Sequence, residues 1–181
     1  MKRISRLYER ILAFGAGLMM FLVFAIIFVN SMRRYTTGRS LEWGEELPIY
    51  LMIYGVMFGI GLAYLNDRHI RFALITDILP EDWTQKLYAA TDIVTMVTGA
   101  ALAWSGILFA TRRPQIDASG LIGTARALAE STGLSWLEWI GRVGTWQSAV
   151  ATGGVLLALA AFIRFLTRLQ EIRAGVQDQA A

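Results

Sequence analysis

Three carboxylates stand at the threshold of an apolar stretch: Glu42, Glu45 and Glu46 in SLEWGEELPIY, residues 40–50. On a helix begun near Ser40 their spacing of i, i+3 and i+4 puts them on one face. Such a face either interacts favourably with the helix N-terminus and headgroup water or pairs with arginines, those being Arg33, Arg34 and Arg39 of the same connection or residues of a partner subunit. Pro48 bears on where that helix begins, because proline is accommodated in a first turn begun at Leu47 but kinks a helix begun at Ser40. Two further charges lie in apolar surroundings, Asp92 near the start of one run and Arg164 near the end of another. Both read as solvated or interfacial groups, since a charge at the bilayer centre costs at least about 2.5–3.5 kcal/mol. The midplane of every apolar run is free of charge.

The remaining catalytic repertoire is thin. The chain has one histidine, His69, and no cysteine. That excludes disulfides, thiolate metal sites, a two-histidine haem and a multi-histidine zinc site within one chain. No P-loop, nucleophile elbow or paired-histidine helix occurs, so the chain does not read as an enzyme, and no cofactor or metal is expected.

The elements that carry these residues are apolar helices. Of 181 residues 55% are hydrophobic and 17% charged, outside the ordinary soluble range. Runs at 11–29, 47–65, 87–111 and 148–166 each approach or exceed the roughly 20 residues needed to cross a bilayer. The fold class expected is an all-α integral membrane protein with four transmembrane helices and added interfacial segments, a single domain over 1–175 followed by a flexible polar tail at 176–181. Lys2, Arg3, Arg6 and Arg10 precede a first run too long for a cleavable signal sequence, so it reads as an uncleaved span. This basic N-terminus places both termini in the cytoplasm. Despite a pI near 9.5, the basic residues flank the spans and form no single patch, which points to anionic lipid and not to nucleic acid.

Two connections carry pattern. IRFALITDIL, residues 70–79, is too short to cross and fits an interfacial segment ending at Pro80. Across 120–147, Trp136, Trp139, Ile140, Val143 and Trp146 recur at helical offsets and predict an amphipathic helix lying at the membrane surface or feeding into the fourth span, or else a set of belt anchors. Gly55 and Gly59, four residues apart in the second run, predict a seam for close helix packing, with further glycines at Gly15, Gly17, Gly153 and Gly154.

Trp43-Gly44-Glu45-Glu46-Leu47 with Tyr50, the run GVMFGIGLAYLNDRHIRF at 55–72, and Leu79-Pro80 together resemble the small membrane subunit of the tripartite ATP-independent periplasmic (TRAP) transporters, the DctQ-like family. The chain has Ile49 where that pattern usually has arginine and Ala73 where it commonly has aspartate, and its stretch from Arg112 to Gln147 is longer than usual. The resemblance implies an inner-membrane scaffold subunit with no substrate site of its own. Its implied partners are a large elevator-type permease subunit that moves solute with sodium, a periplasmic solute-binding protein, and the lipid bilayer. Interface candidates are then Glu42, Trp43, Glu45, Glu46, Tyr50, Gly55, Gly59, Arg68 and His69. The competing readings are a membrane anchor of a redox complex and an autonomous small channel or transporter.

Overall fold

The computed structural model describes residues 2–66, 81–112 and 116–179. Arg68, His69 and the 70–79 segment lie outside them. Helix α1 is Lys2–Thr37, α2 Trp43–Leu65, α3 Glu81–Arg112, α4 Ile122–Thr132 and α5 Val143–Gln179, with a 3-10 helix at Ser135–Gly141 before α5. The fold is all-α, and α1, α2, α3 and α5 are each long and apolar enough to span a membrane. Each contains one of the four apolar runs. Among the described residues the sole β-type pairing is an isolated antiparallel bridge between Asp117 and Arg142.

The termini of the helices follow local chemistry. Gly38 takes the left-handed conformation at φ 69° and ends α1, its amide donating to the Arg34 carbonyl at 3.0 Å. The Thr36 and Thr37 hydroxyls donate back to the Met32 and Arg33 carbonyls. The chain then turns into α2, and the Leu41 amide donates to Asn30 Oδ1 at 2.7 Å. Gly44 lies so close to Asn30 that a Cβ there would stand 2.7 Å from Asn30 Cγ. Helix α2 begins at Trp43, between the two starts that Pro48 leaves open, and Pro48 falls inside it and is buried. Lacking an amide proton, Pro48 forgoes one bond of the second turn, at the residue where the helix packs against α1.

Packing runs pairwise: α1 on α2, α2 on α5, and α5 on α3 most extensively. The α3–α5 contact rests on small residues, with Gly99, Ala103 and Gly106 facing Ala151, Gly154 and Ala158. A Cβ on Gly99 would lie 2.7 Å from the Ala158 amide nitrogen, and one on Gly154 would lie 2.7 Å from the Gly99 carbonyl oxygen. Backbones that approach this closely gain dispersion contacts that larger side chains would prevent. Gly55 contributes to the α1–α2 contact, with Met19 Cβ 3.3 Å from the position its Cβ would take, and Gly61 faces Leu12 and Leu156. Gly59 and Gly17 face open space. Of the Gly55–Gly59 seam, only the first glycine is therefore used within this chain.

The Trp136–Trp146 stripe does not lie on one helix. Gly133, at φ 71°, caps α4, and Arg142 is extended at φ −102°, ψ 131°, which separates the 3-10 helix from α5. Trp136 and Trp139 sit on the 3-10 helix, 61% and 64% exposed, whereas Trp146 belongs to the first turn of α5 and packs inward. The offsets in sequence were helical; the chain turns at left-handed Gly133 and again at the extended Arg142.

Candidate functional site

Polar side chains gather at the two ends of the bundle. At the end that carries residues 116–142, Glu46 bridges two elements: Oε1 accepts from the Tyr50 hydroxyl at 2.7 Å and Oε2 accepts from the Gly120 amide at 2.7 Å. Tyr50 stacks on Trp146 with ring centroids 5.2 Å apart and planes 11° from parallel. Trp146 Nε1 in turn donates to the Ile140 carbonyl at 2.8 Å, and Tyr54 meets the same indole edge-on. The Tyr54 hydroxyl reaches the Thr145 carbonyl at 3.0 Å and Ser148 Oγ at 2.8 Å. A chain of contacts thus ties the start of α2 to the start of α5 and to the intervening connection.

That connection is itself folded. Ala118 donates to the Gly141 carbonyl at 2.8 Å and Val143 to the Ile116 carbonyl at 2.9 Å, which clamps its two ends together. Ala118, Leu121, Ala125 and Ala129 are buried against the 3-10 helix. The Arg126–Asp117 ion pair at 3.1 Å is half-exposed and contributes little.

The three opening carboxylates separate in role. Glu46 is held inside the protein, while Glu42 and Glu45 are exposed and form no ion pair with Arg33, Arg34 or Arg39, which are exposed as well. Trp43 is half-buried. Sequence spacing put the three on one side of the helix, but it carried no information about Gly120, which lies 74 residues away and supplies the donor.

At the opposite end Asp92 joins three helices. Its Oδ1 accepts from the Tyr64 hydroxyl of α2 at 2.6 Å, and Oδ2 stands 3.4 Å from Arg168 Nη1 of α5. The Arg168 guanidinium also lies over the Tyr88 ring, 4.6 Å from its centroid. Asp92 is 1% exposed, which corrects its reading as a solvated or interfacial group. The reason is the start of α3 at Glu81, which puts Asp92 three turns into a helix and turns it toward α2 and α5. Its cation is Arg168, one turn beyond the Arg164 that the sequence brought to notice. Nearby, the Tyr8 hydroxyl of α1 donates to the Leu156 carbonyl at 2.7 Å.

Among the described residues no three His, Cys, Asp or Glu side chains come together as a metal would require. What the polar groups do is join helices.

Four long apolar helices, latched by polar clusters at both ends, define a polytopic helical membrane protein. Within that class the chain belongs to the DctQ component of the tripartite ATP-independent periplasmic transporters, whose family model matches residues 23–171. A TRAP transporter small permease protein of Haemophilus influenzae is 22% identical over 129 residues, covering 70% of this chain and 78% of that one. The sialic acid TRAP transporter permease SiaT of the same species is 30% identical over 81 residues, 45% of this chain but 12% of that much longer protein. The chain is accordingly a small membrane component of a transport system.

The residues that sequence reasoning missed are Asn30, Tyr64, Gly99, Gly106 and Arg168. For the glycines a signal existed, since Gly99 to Ala103 and Gly154 to Ala158 both have the small-xxx-small spacing.

Proposed function

We propose that the chain is the scaffold subunit of a TRAP transporter in the bacterial inner membrane, with both termini cytoplasmic. It packs against a large permease subunit that carries out sodium-coupled, elevator-type uptake of a solute delivered by a periplasmic binding protein. The observation that carries this reading is the family match across 23–171. The disposition of polar groups supports it. Asp92, a charge buried within an apolar helix, faces Arg168 of the same chain. Aromatic residues along α1, among them Phe14, Phe21 and Phe24, are exposed and present an apolar surface to lipid or to the permease.

On this reading Glu42, Trp43, Tyr50, Gly59, Arg68 and His69 contribute to partner contacts, and Gly59, open within the described residues, offers a close approach to a helix of the permease. Co-purification tests the assignment: a tagged chain expressed with the large permease should bring it down as a stable complex. Sodium-driven uptake in liposomes should then require this chain, the permease and the binding protein together. Solute flux through liposomes holding this chain alone would overturn the reading in favour of an autonomous transporter.

A further inference from the structure

We propose that the groove between α1 and α2, at the Glu46 end of the bundle, binds a phospholipid with a primary-amine headgroup. The groove is open-sided and has a volume of about 410 Å³. Arg34 and Glu45 stand at its polar end, and Val23, Ile27, Ile49 and Met52 line its apolar length. At its polar end Asn30 holds the α1–α2 turn through the Leu41 amide and Gly44 lies against the Asn30 side chain.

Depth and charge select the occupant. The charge-free run of α1 ends at Val29, so Asn30 to Arg34 lies where the helix leaves the hydrocarbon, and Glu45 of α2 lies in the first turn at the same end. From Arg34 to Val23 is eleven residues, about 16 Å along the helix, the distance from headgroup into acyl chain. The Arg34 and Glu45 side chains line the same groove yet make no ion pair or hydrogen bond with each other or with any other described group. A guanidinium matches a phosphodiester, and a carboxylate beside it matches an ammonium with N–H donors. A glycerol headgroup would bring no cation to Glu45, a serine headgroup would bring a carboxylate with its ammonium, and a choline headgroup would bring no N–H. Ile49 and Met52 are about half exposed, so the groove opens sideways to the bilayer and an acyl chain can enter without the protein opening. The inference requires only that α1 and α2 span a bilayer, and so stands apart from the identity of the transported solute or the permease.

The test is native mass spectrometry of the purified chain offered phosphatidylethanolamine and phosphatidylglycerol in equal amounts. The wild-type chain should retain one phosphatidylethanolamine with a preference of about 2- to 5-fold, the scale of one solvent-edge charge pair. Glu45→Gln should remove the preference while phosphatidylglycerol binding persists, and Arg34→Gln should weaken both lipids. Both side chains are exposed, and circular dichroism on each variant checks that it remains folded. Equal retention of the two lipids by the wild-type chain, or a preference unchanged by Glu45→Gln, would overturn the proposal. A second measurement uses the absence of native cysteine: a fluorophore on Ile49→Cys in native membranes should be quenched by phosphatidylethanolamine with brominated acyl chains. If assembly with the permease abolishes that quenching, the groove belongs to a protein segment and the lipid proposal fails.

Discussion

The Tyr64 hydroxyl lies 2.6 Å from Asp92 Oδ1, so a tyrosine near the end of α2 and an aspartate three turns into α3 share a proton donor and acceptor inside the bundle. Arg168 approaches the other carboxylate oxygen from α5, at 3.4 Å. One carboxylate therefore ties three helices together at this end of the bundle, as the Tyr54 hydroxyl ties α2 to α5 at the other. Removing one partner of a buried pair is costly because the other charge stays behind. In membranes the cost is moderated, since the unfolded helices also find polar partners.

Asp92→Ala should accordingly destabilise the chain by about 1–3 kcal/mol, read as a shift in detergent unfolding. The double variant Asp92→Ala with Arg168→Met should recover part of the loss, because no isolated guanidinium remains. Equal destabilisation by single and double variants would show that the pair does not act as a unit.

Glu46 and Glu45, neighbours in sequence, should behave differently. Glu46→Ala leaves the Gly120 amide and the Tyr50 hydroxyl without their acceptor and should cost about 1–3 kcal/mol. Faster amide exchange is expected across 116–142 in particular. Glu45→Ala should leave the stability of the isolated chain unchanged. Thermal unfolding with hydrogen-exchange mass spectrometry distinguishes the two, and equal effects would mean that the Gly120 contact does not hold the connection.

Two glycines give a similar contrast. Gly154→Leu forces a side chain into the backbone of α3 and should separate α3 from α5, lowering the unfolding temperature or preventing folding altogether. Gly59→Leu enters open space and should leave the isolated chain folded, with any effect confined to assembly with the permease. Crosslinking between cysteines placed on α3 and α5 reports the first, and complex yield the second.

Asn30→Ala should loosen the turn between α1 and α2 by removing the acceptor for the Leu41 amide, at a cost of about 1 kcal/mol. Protease sensitivity around Gly38 should rise. Asn30→Asp keeps an acceptor at the same position and should restore protection.

How much of this was legible beforehand differs by element. The four spans and the all-α class follow from composition and run length alone, because a bilayer demands a fixed length of apolar helix. Membership in the DctQ component was legible in the stretch from Trp43 to Pro80, of which residues 67–80 lie outside the described structure. The amphipathic connection was only half legible: helical offsets recur from Trp136 to Trp146, but the extended Arg142 divides that stretch and Gly133 parts it from the helix before, and period alone does not register such breaks.

By itself, then, the sequence determined that this chain has four helices long and apolar enough to cross a membrane and which family it joins, since these depend on local hydrophobicity and local motif. Only the tertiary structure decided that Glu46 turns inward to Gly120 while Glu45 stays out, that Asp92 finds Tyr64 and Arg168, and that Gly99 and Gly154 serve a contact while Gly59 does not. The physical reason is common to all three: helical period fixes the direction in which a side chain points, but its partner arrives from another helix, and its place there is set by packing.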